Sequence, residues 1–253
     1  MGKLDGKVAI VTGAAVGIGR AIAEAFGAEG AQVVVNYSKS LKEAEQTAEM
    51  VVSAGGQSLL VQADVSKDDQ VRAMVERTLG AFGRIDILVN NAGTTVFVPF
   101  TDLEGLSEEA WDRLFAVNVK SMFFCSRAVA PTMKRQGKGC IINLASIAGL
   151  TTSGSSIAYC VTKAATVNLT QCLAKALGPE IRVNAIAPGH VEETRWNVGR
   201  RDLDTVHDAW IKTAPLHRVG VPSDIAEIAV FLATGASFMT GAVLVADAGR
   251  IIA

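Results

Sequence analysis

The chain is poor in the residues that build metal sites and disulfide frameworks. Its 253 residues include only four cysteines and three histidines, and no two cysteines form a CxxC pair. Cys125, Cys140, Cys160 and Cys172 all fall within apolar helix or strand patterns. We therefore expect four buried free thiols in a reducing cytosol and no metal site.

Charge of one sign and long apolar runs are also scarce. The chain has 24 basic and 25 acidic residues, a net charge of -1, and the two signs alternate along it. This pattern excludes the basic face that binding of nucleic acid requires. The start of the chain has no apolar run like a signal peptide, and Asn, Ser or Gly interrupts the longest apolar stretches. We expect a cytoplasmic protein without a membrane or nucleic-acid partner.

No feature of the sequence divides it into separate units. It has no Pro/Gly/Ser-rich linker, no charge block and no obvious repeat, and 49% of its residues are hydrophobic. That length and composition suit one large α/β core. We therefore predict a single domain over residues 1–253.

Short apolar runs alternate with longer amphipathic segments. Seven runs predict strands at about 8–11, 33–35, 58–61, 85–89, 140–144, 181–186 and 242–245. The segments between them predict helices at about 18–29, 40–54, 67–82, 107–135, 157–177 and 223–234, and leave a polar segment at about 190–215. Continuous apolar strands that alternate with helices are typical of a parallel sheet buried on both faces. We predict a Rossmann-type, doubly wound α/β fold with helices on both faces and ligands at the carboxyl ends of the strands.

A glycine-rich loop follows the first predicted strand. Gly13, Gly17 and Gly19 permit a tight turn, and the helix after them offers free N–H groups and a positive dipole end. Because a diphosphate group suits such a site, we predict nucleotide binding there. The alternative is a turn with a purely structural role.

Further motifs stand at or near the ends of later strands. They are the Asn-Asn-Ala-Gly sequence at 90–93, Asn118, Ser146, the Tyr-x3-Lys pair of Tyr159 and Lys163, and Pro188-Gly189. With the Gly-x3-Gly-x-Gly loop, this ordered set resembles the short-chain dehydrogenase/reductase family over about 5–249. Among its members, the chain is most similar to the 3-oxoacyl-[acyl-carrier-protein] reductases.

The resemblance implies a nicotinamide cofactor and a set of residues that bind it. These residues are Gly13, Gly17, Ile18, Gly19, Asn36, Ser38, Lys39, Asp64, Val65, Asn90, Ala92, Gly93, Tyr159, Lys163, Pro188, Gly189 and Val191. Asp64 is similar to the family's adenine contact, and a helix cap is the alternative for it.

The end of the second strand indicates which cofactor to expect. Asn36 stands where an acidic residue would bind the ribose diol of NAD and repel a 2′-phosphate. Ser38 and Lys39 suit a phosphate, whereas Val16 stands where relatives that prefer NADP often carry a basic residue. We expect NADP(H), with NAD(H) and a merely solvated turn as alternatives, and a shift toward NAD(H) in Asn36→Asp.

The predicted helix at 157–177 carries the catalytic pair. Tyr159 and Lys163 are four residues apart, so they share one helix face. A nearby ammonium and an oxidised nicotinamide both favour phenolate, so we expect the pKa of Tyr159 to be lowered. The resemblance assigns proton transfer to Tyr159, the nicotinamide ribose to Lys163, the substrate oxygen to Ser146 and support of a water chain to Asn118. Taken singly, each residue has a plainer interpretation as a surface contact, a turn residue or a solvated side chain.

The resemblance implies an enzyme that interconverts a ketone and a secondary alcohol. Its substrate would be a small molecule or an acyl-carrier-linked carbonyl compound. A sugar, polyol or small-alcohol dehydrogenase is the alternative, and a non-catalytic NADP(H)-binding regulator is the competing class. We expect the determinants of specificity in a substrate loop at about 190–215 and near 94–103. His190 is within that loop, where a solvated histidine is the interpretation we favour.

An acidic carrier would favour a basic rim near the site. The candidate clusters are Lys134, Arg135 and Lys138, or Arg200 and Arg201. Either cluster can equally be an ordinary solvated group of charges.

The helices at 107–135 and 157–177 are more apolar than one buried face needs. The examples are Phe115, Met122, Phe123, Phe124, Val167, Leu169, Cys172 and Leu173, to which the tail Ile251-Ile252-Ala253 adds more apolar surface. Surplus apolar surface often marks a contact between subunits, and the family commonly forms tetramers through such helices. We expect a homotetramer.

Two residues depart from the family pattern. Thr162 stands where relatives often have serine, and we expect no functional consequence. Ala248 interrupts the usual Asp-Gly-Gly sequence and is unfavourable if the turn there needs a positive φ.

Overall fold

The computed structural model describes residues 2–197 and 203–253, so Arg200 and Arg201 lie outside the described residues. Its seven strands form one parallel sheet in the order β3-β2-β1-β4-β5-β6-β7. The strands are β1 Val8–Val11, β2 Gln32–Tyr37, β3 Gln57–Gln62, β4 Ile87–Asn90, β5 Gly139–Leu144, β6 Ile181–Pro188 and β7 Val243–Ala246. The predicted doubly wound fold is confirmed, and each strand end lies within two residues of its predicted position.

Helices connect the strands and cover both faces of the sheet. They are α1 Gly17–Ala28, α2 Leu41–Ser53, α3 Asp68–Phe82, α4 Glu108–Phe115, α5 Ser121–Arg135, α6 Ile157–Leu177, α7 Leu203–Thr213 and α8 Pro222–Thr234. The strand order changes direction between β1 and β4, where a doubly wound sheet opens a crevice for ligands.

The core lies in two layers, because side chains alternate between the two faces of each strand. On one face, Val11 and Val89 pack against Ile22 and Phe26 of α1 together with residues of α8. On the other face, Ile10 and its neighbours pack against apolar residues of α3, α5 and α6. Every residue of β1 is buried, which explains its continuous apolar sequence.

The structure divides the predicted helix at 107–135. A π-helical turn, Ala116–Lys120, separates α4 from α5. Such turns widen the helix by one residue and redirect nearby side chains and carbonyl groups. The turn contains Asn118, one of the predicted site residues.

The predicted polar segment at 190–215 is wrong in one respect, because it contains a regular helix, α7. No residue of α7 as described is fully buried, although Trp210 is partly covered. The sequence does carry an amphipathic pattern here that we missed, since apolar residues recur at helical spacing: Leu203, Val206, Trp210 and Ile211.

The side chains chosen as oligomer contacts divide into two groups. Met122 and Leu173 are buried in the chain's own core, so their proposed role in subunit contact is wrong. Phe123 is 41% exposed, and Ile252 of the tail is 84% exposed. The homotetramer stays a prediction.

The described residues also bear on the cysteines, metals and membranes. All four cysteines are free, but Cys160 is only half-buried and Cys172 is exposed, so the prediction of four buried thiols is half wrong. Over 2–197 and 203–253, no group of three His, Cys, Asp or Glu side chains is placed to hold a metal ion. Within the same residues, no helix combines the length and apolar character needed to cross a membrane.

Candidate active site

A cleft of about 1960 Å³ opens at the carboxyl ends of the strands. Most of the predicted site residues line it: Gly13, Gly17, Ile18, Asn36, Ser38, Lys39, Asp64, Val65, Ala92, Gly93, Ser146, Tyr159, Lys163, Pro188, Gly189 and Val191. Residues that lie far apart in the sequence therefore share one cavity. Three other predicted residues, Gly19, Asn90 and Asn118, are not part of its lining.

The glycine loop of 12–19 is shaped by its lack of side chains. Gly13 and Gly17 adopt positive φ values of 61° and 57°. A Cβ on Gly13 would lie 2.9 Å from the Cα of Ala92, and a Cβ on Gly19 would overlap the amide nitrogen of Asn91. The loop then enters α1, whose first N–H groups have no partner inside the helix. A narrow main-chain cradle at a helix N-terminus fits a diphosphate.

Asn91 fixes that loop to the end of β4, a role that the sequence analysis missed. Its side-chain Nδ2 donates to the carbonyl oxygens of Thr12 at 2.9 Å and Gly13 at 3.1 Å. The Thr12 hydroxyl accepts the main-chain N–H groups of Asn91 and Ala92 in return. The second asparagine of the Asn-Asn-Ala-Gly motif was the available signal.

Asn90 faces the core rather than the cleft. Its Nδ2 donates to Asn143 Oδ1 at 2.9 Å and to the hydroxyl of Ser126 at 3.2 Å. Only its main chain is therefore left for a cofactor, and that contact stays a prediction.

Asn36 connects three strand ends through a buried side chain. Its Oδ1 accepts the N–H of Gly13 at 3.2 Å, and its Nδ2 donates to the carbonyl oxygens of Val61 at 3.3 Å and Ala63 at 3.1 Å. Both the oxygen and the nitrogen of the side-chain amide are therefore hydrogen-bonded within the protein, and the first role of Asn36 is to stabilise the fold. Its contact with a cofactor stays a prediction, whereas Ser38 and Lys39 are exposed on the rim.

Asp64 closes a turn instead of capping a helix. Its carboxylate accepts the N–H of Ser66 at 3.0 Å and the Ser66 hydroxyl at 2.7 Å. The residue that precedes α3 is Lys67, and no side chain caps that helix. The helix-cap interpretation is therefore wrong, and the adenine contact stays a prediction.

The catalytic candidates meet where β5 ends and α6 begins. Ser156 caps α6 by accepting the N–H of Tyr159. One turn later, Lys163 donates from Nζ to the carbonyl oxygen of Leu144 at 2.7 Å and lies 5.7 Å from the centre of the Tyr159 ring. The Ser146 hydroxyl accepts the N–H of Ala148 at 3.1 Å and is close enough to the Tyr159 phenol to lower its pKa.

Burial dominates the proton affinities of this pair. It raises the pKa of Tyr159 to about 12, and the hydrogen bond with Ser146 opposes that rise only in part. Burial also lowers the pKa of Lys163 from 10.5 to about 8. For the protein alone, the predicted lowering of the tyrosine pKa is wrong, because the cost of removing water from the phenolate exceeds the effect of Ser146. The effect of an oxidised nicotinamide stays a prediction.

Asn118 supports the site through the π-helical turn. Its Oδ1 accepts the N–H of Thr94 at 2.8 Å, and its Nδ2 donates to the Thr94 carbonyl and to the Thr162 hydroxyl. Thr162 is fully buried and donates its own proton to the carbonyl oxygen of Tyr159 at 2.8 Å. Thr162 therefore joins Asn118 to the catalytic helix through a hydroxyl that serine would also provide, and the absence of a functional consequence of threonine at this position stays a prediction.

Aromatic rings cover the open side of the catalytic residues. Trp196 packs edge-on against Tyr159, with ring centres 5.7 Å apart. His190 lies against the rings of His207, at 4.8 Å, and Trp210, at 5.9 Å. The interpretation of His190 as a solvated loop residue is therefore wrong, because its ring belongs to this half-buried aromatic cluster.

The first predicted basic rim lies at the wrong edge of the sheet. Lys134 and Arg135 occupy the last turn of α5, and Lys138 immediately precedes β5. They therefore stand at the amino end of β5, whereas the cleft lies at the carboxyl ends of the strands. The helix runs antiparallel to its strands, which moves its final residues away from the site.

Comparison with known proteins supports this geometry. A family model described as enoyl-(acyl carrier protein) reductase matches residues 13–250. A 3-oxoacyl-[acyl-carrier-protein] reductase of Staphylococcus epidermidis is 39% identical over 245 residues, covering 96% of this chain and 98% of the relative. The chain belongs to the short-chain dehydrogenase/reductase family. It is accordingly an oxidoreductase, as the ordered motifs predict.

Other members of the short-chain dehydrogenase/reductase family match over nearly their whole length. A 3-oxoacyl-[acyl-carrier-protein] reductase of Synechocystis is 36% identical over 256 residues and is covered completely. A crystal structure of a short-chain type dehydrogenase/reductase from Mycobacterium marinum has a TM-score of 0.87 and 35% identity, covering 98% of this chain and 96% of that one.

Proposed function

We propose that this short-chain dehydrogenase/reductase uses NADP(H) to interconvert a ketone and a secondary alcohol. The observation that carries the proposal is the meeting of Ser146, Tyr159 and Lys163 in a cleft that also contains a diphosphate cradle. We propose a 3-oxoacyl group on an acyl carrier as the substrate, since relatives that match the chain over nearly its whole length bear that name.

Tyr159 would act as the proton donor to the carbonyl oxygen. Its raised pKa keeps the phenol protonated at neutral pH, which is the form that ketone reduction consumes. Ser146 would hold the same oxygen through its hydroxyl and set its distance from the phenol. The bound nicotinamide cofactor supplies the hydride. These two residues therefore orient the carbonyl group and neutralise the alkoxide that forms on it.

Lys163 and Asn118 would support the proton donor, Tyr159. The amine of Lys163 has a pKa of about 8 and lies beside the tyrosine ring, so it can change protonation near neutral pH and stabilise a transient phenolate. Asn118 ties the loop at Thr94 to the catalytic helix through Thr162. The arrangement would keep the distance between helix and loop constant while the proton moves.

The substrate would enter past the aromatic rings. Phe97, Trp196 and Trp210 line the cleft on the side of Tyr159, and Phe97 is 54% exposed. Such rings offer apolar contact to a flexible acyl chain without requiring a charged partner. The proposed substrate loop at 190–215 contains two of these three residues.

Replacing one hydroxyl tests the proposal. Tyr159→Phe keeps the ring and its packing but removes the proton donor, so turnover should fall by about 10²–10⁴-fold while NADPH affinity stays the same. The measurement is NADPH oxidation with a panel of 3-oxoacyl thioesters and simple ketones, repeated with NADH, together with calorimetric binding of NADPH.

The chain offers a matched control, because Tyr37 is its only other tyrosine. Tyr37→Phe should change turnover by no more than a few fold. If Tyr159→Phe retains most of the activity, the assignment of the proton donor is wrong. If no carbonyl compound oxidises NADPH, the competing class of nucleotide-binding regulators replaces the enzyme.

A further inference from the structure

A short segment crosses the cleft directly after β6. In residues 191–196, here called the crossing segment, three consecutive side chains reach three different places. Thr194 lies against the glycine loop, since a Cβ on Gly17 would be 3.4 Å from its Cγ2. Trp196 packs on Tyr159. Arg195 extends away from the catalytic residues toward the segment that follows β2.

Arg195 is held there by two hydrogen bonds. One guanidinium nitrogen donates to the Ser40 hydroxyl at 2.7 Å, and the other pairs with Glu43 Oε1 at 2.7 Å. Both partners are 150 or more positions away along the chain. The Arg195 side chain is 54% exposed and that of Glu43 is 39% exposed, so solvent reaches the ion pair.

We propose that Arg195 binds the 2′-phosphate of NADP(H). The inference rests on the proposed function and deepens it, because it names the residue that selects between the two cofactors. It also assigns that selection to a segment after β6 rather than to the end of β2, where the sequence analysis placed it.

The position of Arg195 carries the argument. In a doubly wound fold, the ribose of the adenosine half lies at the end of the second strand. Ser38, Lys39 and Ser40 follow β2 and line the cleft together with Arg195. On the other side of the same corner, the glycine loop presents Val16, which has no charge. Arg195 therefore adds a rigid, fork-shaped cation where that loop supplies none.

The present partners of Arg195 indicate an anion of this kind. A guanidinium group binds phosphate through two parallel hydrogen bonds, and a dianion attracts it more strongly than one carboxylate does. A solvent-exposed ion pair such as Arg195 with Glu43 is weak and easily exchanged. A 2′-phosphate beside Ser40 would take the place of Glu43, whose side chain can turn into solvent.

Substitutions of Arg195 and of Glu43 should therefore change the affinity for the 2′-phosphate in opposite directions. Calorimetry can compare 2′,5′-ADP with 5′-AMP, two fragments that differ by the 2′-phosphate and lack the nicotinamide. Arg195→Met should weaken 2′,5′-ADP by roughly 10–100-fold and leave 5′-AMP unchanged. Glu43→Gln should strengthen 2′,5′-ADP by a few fold, because it removes a competitor for Arg195. Arg195→Lys should recover only part of the loss, since an ammonium lacks the planar fork that matches two phosphate oxygens in parallel.

Arg218→Met provides the matched control. Arg218 is 51% exposed and pairs with Asp224 at 2.6 Å, in a similar exposed ion pair outside the cleft. It should change neither fragment's affinity. Thermal unfolding of each variant checks that the fold is intact, which we expect because all three altered side chains are exposed.

The outcomes separate this inference from the proposed function. If the native protein binds both fragments equally well, the NADP(H) preference itself is wrong. If the native protein prefers 2′,5′-ADP and Arg195→Met keeps that preference, only the role of Arg195 is wrong. Equal weakening of both fragments would identify Arg195 as a structural latch, and would also overturn the inference.

Discussion

The cleft has two walls that are held in place by different kinds of interaction. The strand wall consists of the glycine loop of 12–19 and the ends of β2 and β4, and its amides of Asn36 and Asn91 are saturated with hydrogen bonds inside the protein. The loop wall consists of the crossing segment and α7. Val191 anchors it in the core, but most of its other contacts are between rings or exposed charges, and no α7 residue is fully buried.

The difference matches the ligands that the two walls would face. A dinucleotide is the same in every turnover, so a wall built for it gains from rigid, pre-formed groups. The loop wall would also contact the cofactor, through Arg195, but both ligands would pass it on entering and leaving, and regions that move have few buried contacts. Stability and adaptability are thus separated across one cavity, and three experiments test that separation.

The largest effect should come from Lys163, the buried cation beneath the strand wall. Its pKa is lowered by burial from 10.5 to about 8, so the folded state loses stability as the pH falls from 10.5 to 8, and no more is lost below that. Lys163→Met removes this cost. The free energy of unfolding of the variant minus that of the native protein should therefore be about 2–3 kcal/mol larger at pH 7 than at pH 10, so the variant gains relative stability as the pH falls.

Urea unfolding at several pH values measures that difference. Lys175→Met, an exposed position on the same helix, should show no comparable dependence on pH. Turnover of Lys163→Met should be lost even where the variant is the more stable protein. A pH-independent difference would mean that Lys163 is not held in a water-poor site.

The next effect compares the two walls directly. Asn36→Asp would place a carboxylate against the carbonyl oxygens of Val61 and Ala63, so we expect a loss of about 1–3 kcal/mol at neutral pH. Arg195→Met removes two contacts from the loop wall, but their exposure limits the loss to about 0–1 kcal/mol.

Chemical unfolding of both variants at pH 7 and pH 5 provides the measurement. The Asn36→Asp deficit should shrink at the lower pH, because a carboxyl with a raised pKa regains a proton and can donate it to one carbonyl. Equal losses for the two variants would remove the distinction between the walls. Any change of cofactor preference in Asn36→Asp has to be interpreted against this loss of stability.

The smallest effect concerns a strained turn beside the loop wall. Ala248 has a φ of 58°, a conformation that costs an alanine energy and a glycine little. The turn nevertheless forms, because the Asp247 carboxylate accepts the N–H groups of Gly249 and Ile251. Ala248→Gly should raise the free energy of unfolding by about 0.5–1 kcal/mol, after subtraction of the cost that comes from the greater entropy of glycine in the unfolded chain.

The control is an alanine in a helical conformation. Ala73 is exposed within α3, and Ala73→Gly should lower stability by about 1 kcal/mol. If both glycine variants lose stability equally in thermal unfolding, the strain at Ala248 is relieved elsewhere.

The sequence predicted the strand wall better than the loop wall, for a physical reason. Buried strands such as β1 have continuous apolar sequences, and the glycines of a tight turn form a pattern that can be recognised from the local sequence alone. The roles of Arg195 and Trp196 depend on contacts with residues that are distant in the chain. Arg195 contacts Ser40 and Glu43, and Trp196 contacts Tyr159. Nothing in their local sequence indicates those contacts.

Inside the strand wall, residue types were easier to predict than orientations. Asn36 and Asn90 stand at strand ends, yet their amides point into the protein, because buried polar groups nearby need partners: main-chain carbonyls for Asn36 and the Asn143 side chain for Asn90. The pKa of Tyr159 was misjudged for a related reason. Spacing along a helix shows that Lys163 is near, but it does not show how little water remains around the pair.

The crossing segment also has a kinetic consequence. Because Thr194 lies over the glycine loop and Trp196 over Tyr159, a dinucleotide beneath them is covered along its middle. We expect it to bind before the substrate and to leave last, in an ordered sequence. Its departure would require the part of this segment beyond the buried Val191 to lift, so the rate of that opening, rather than the rate of hydride transfer, would set the ceiling on turnover.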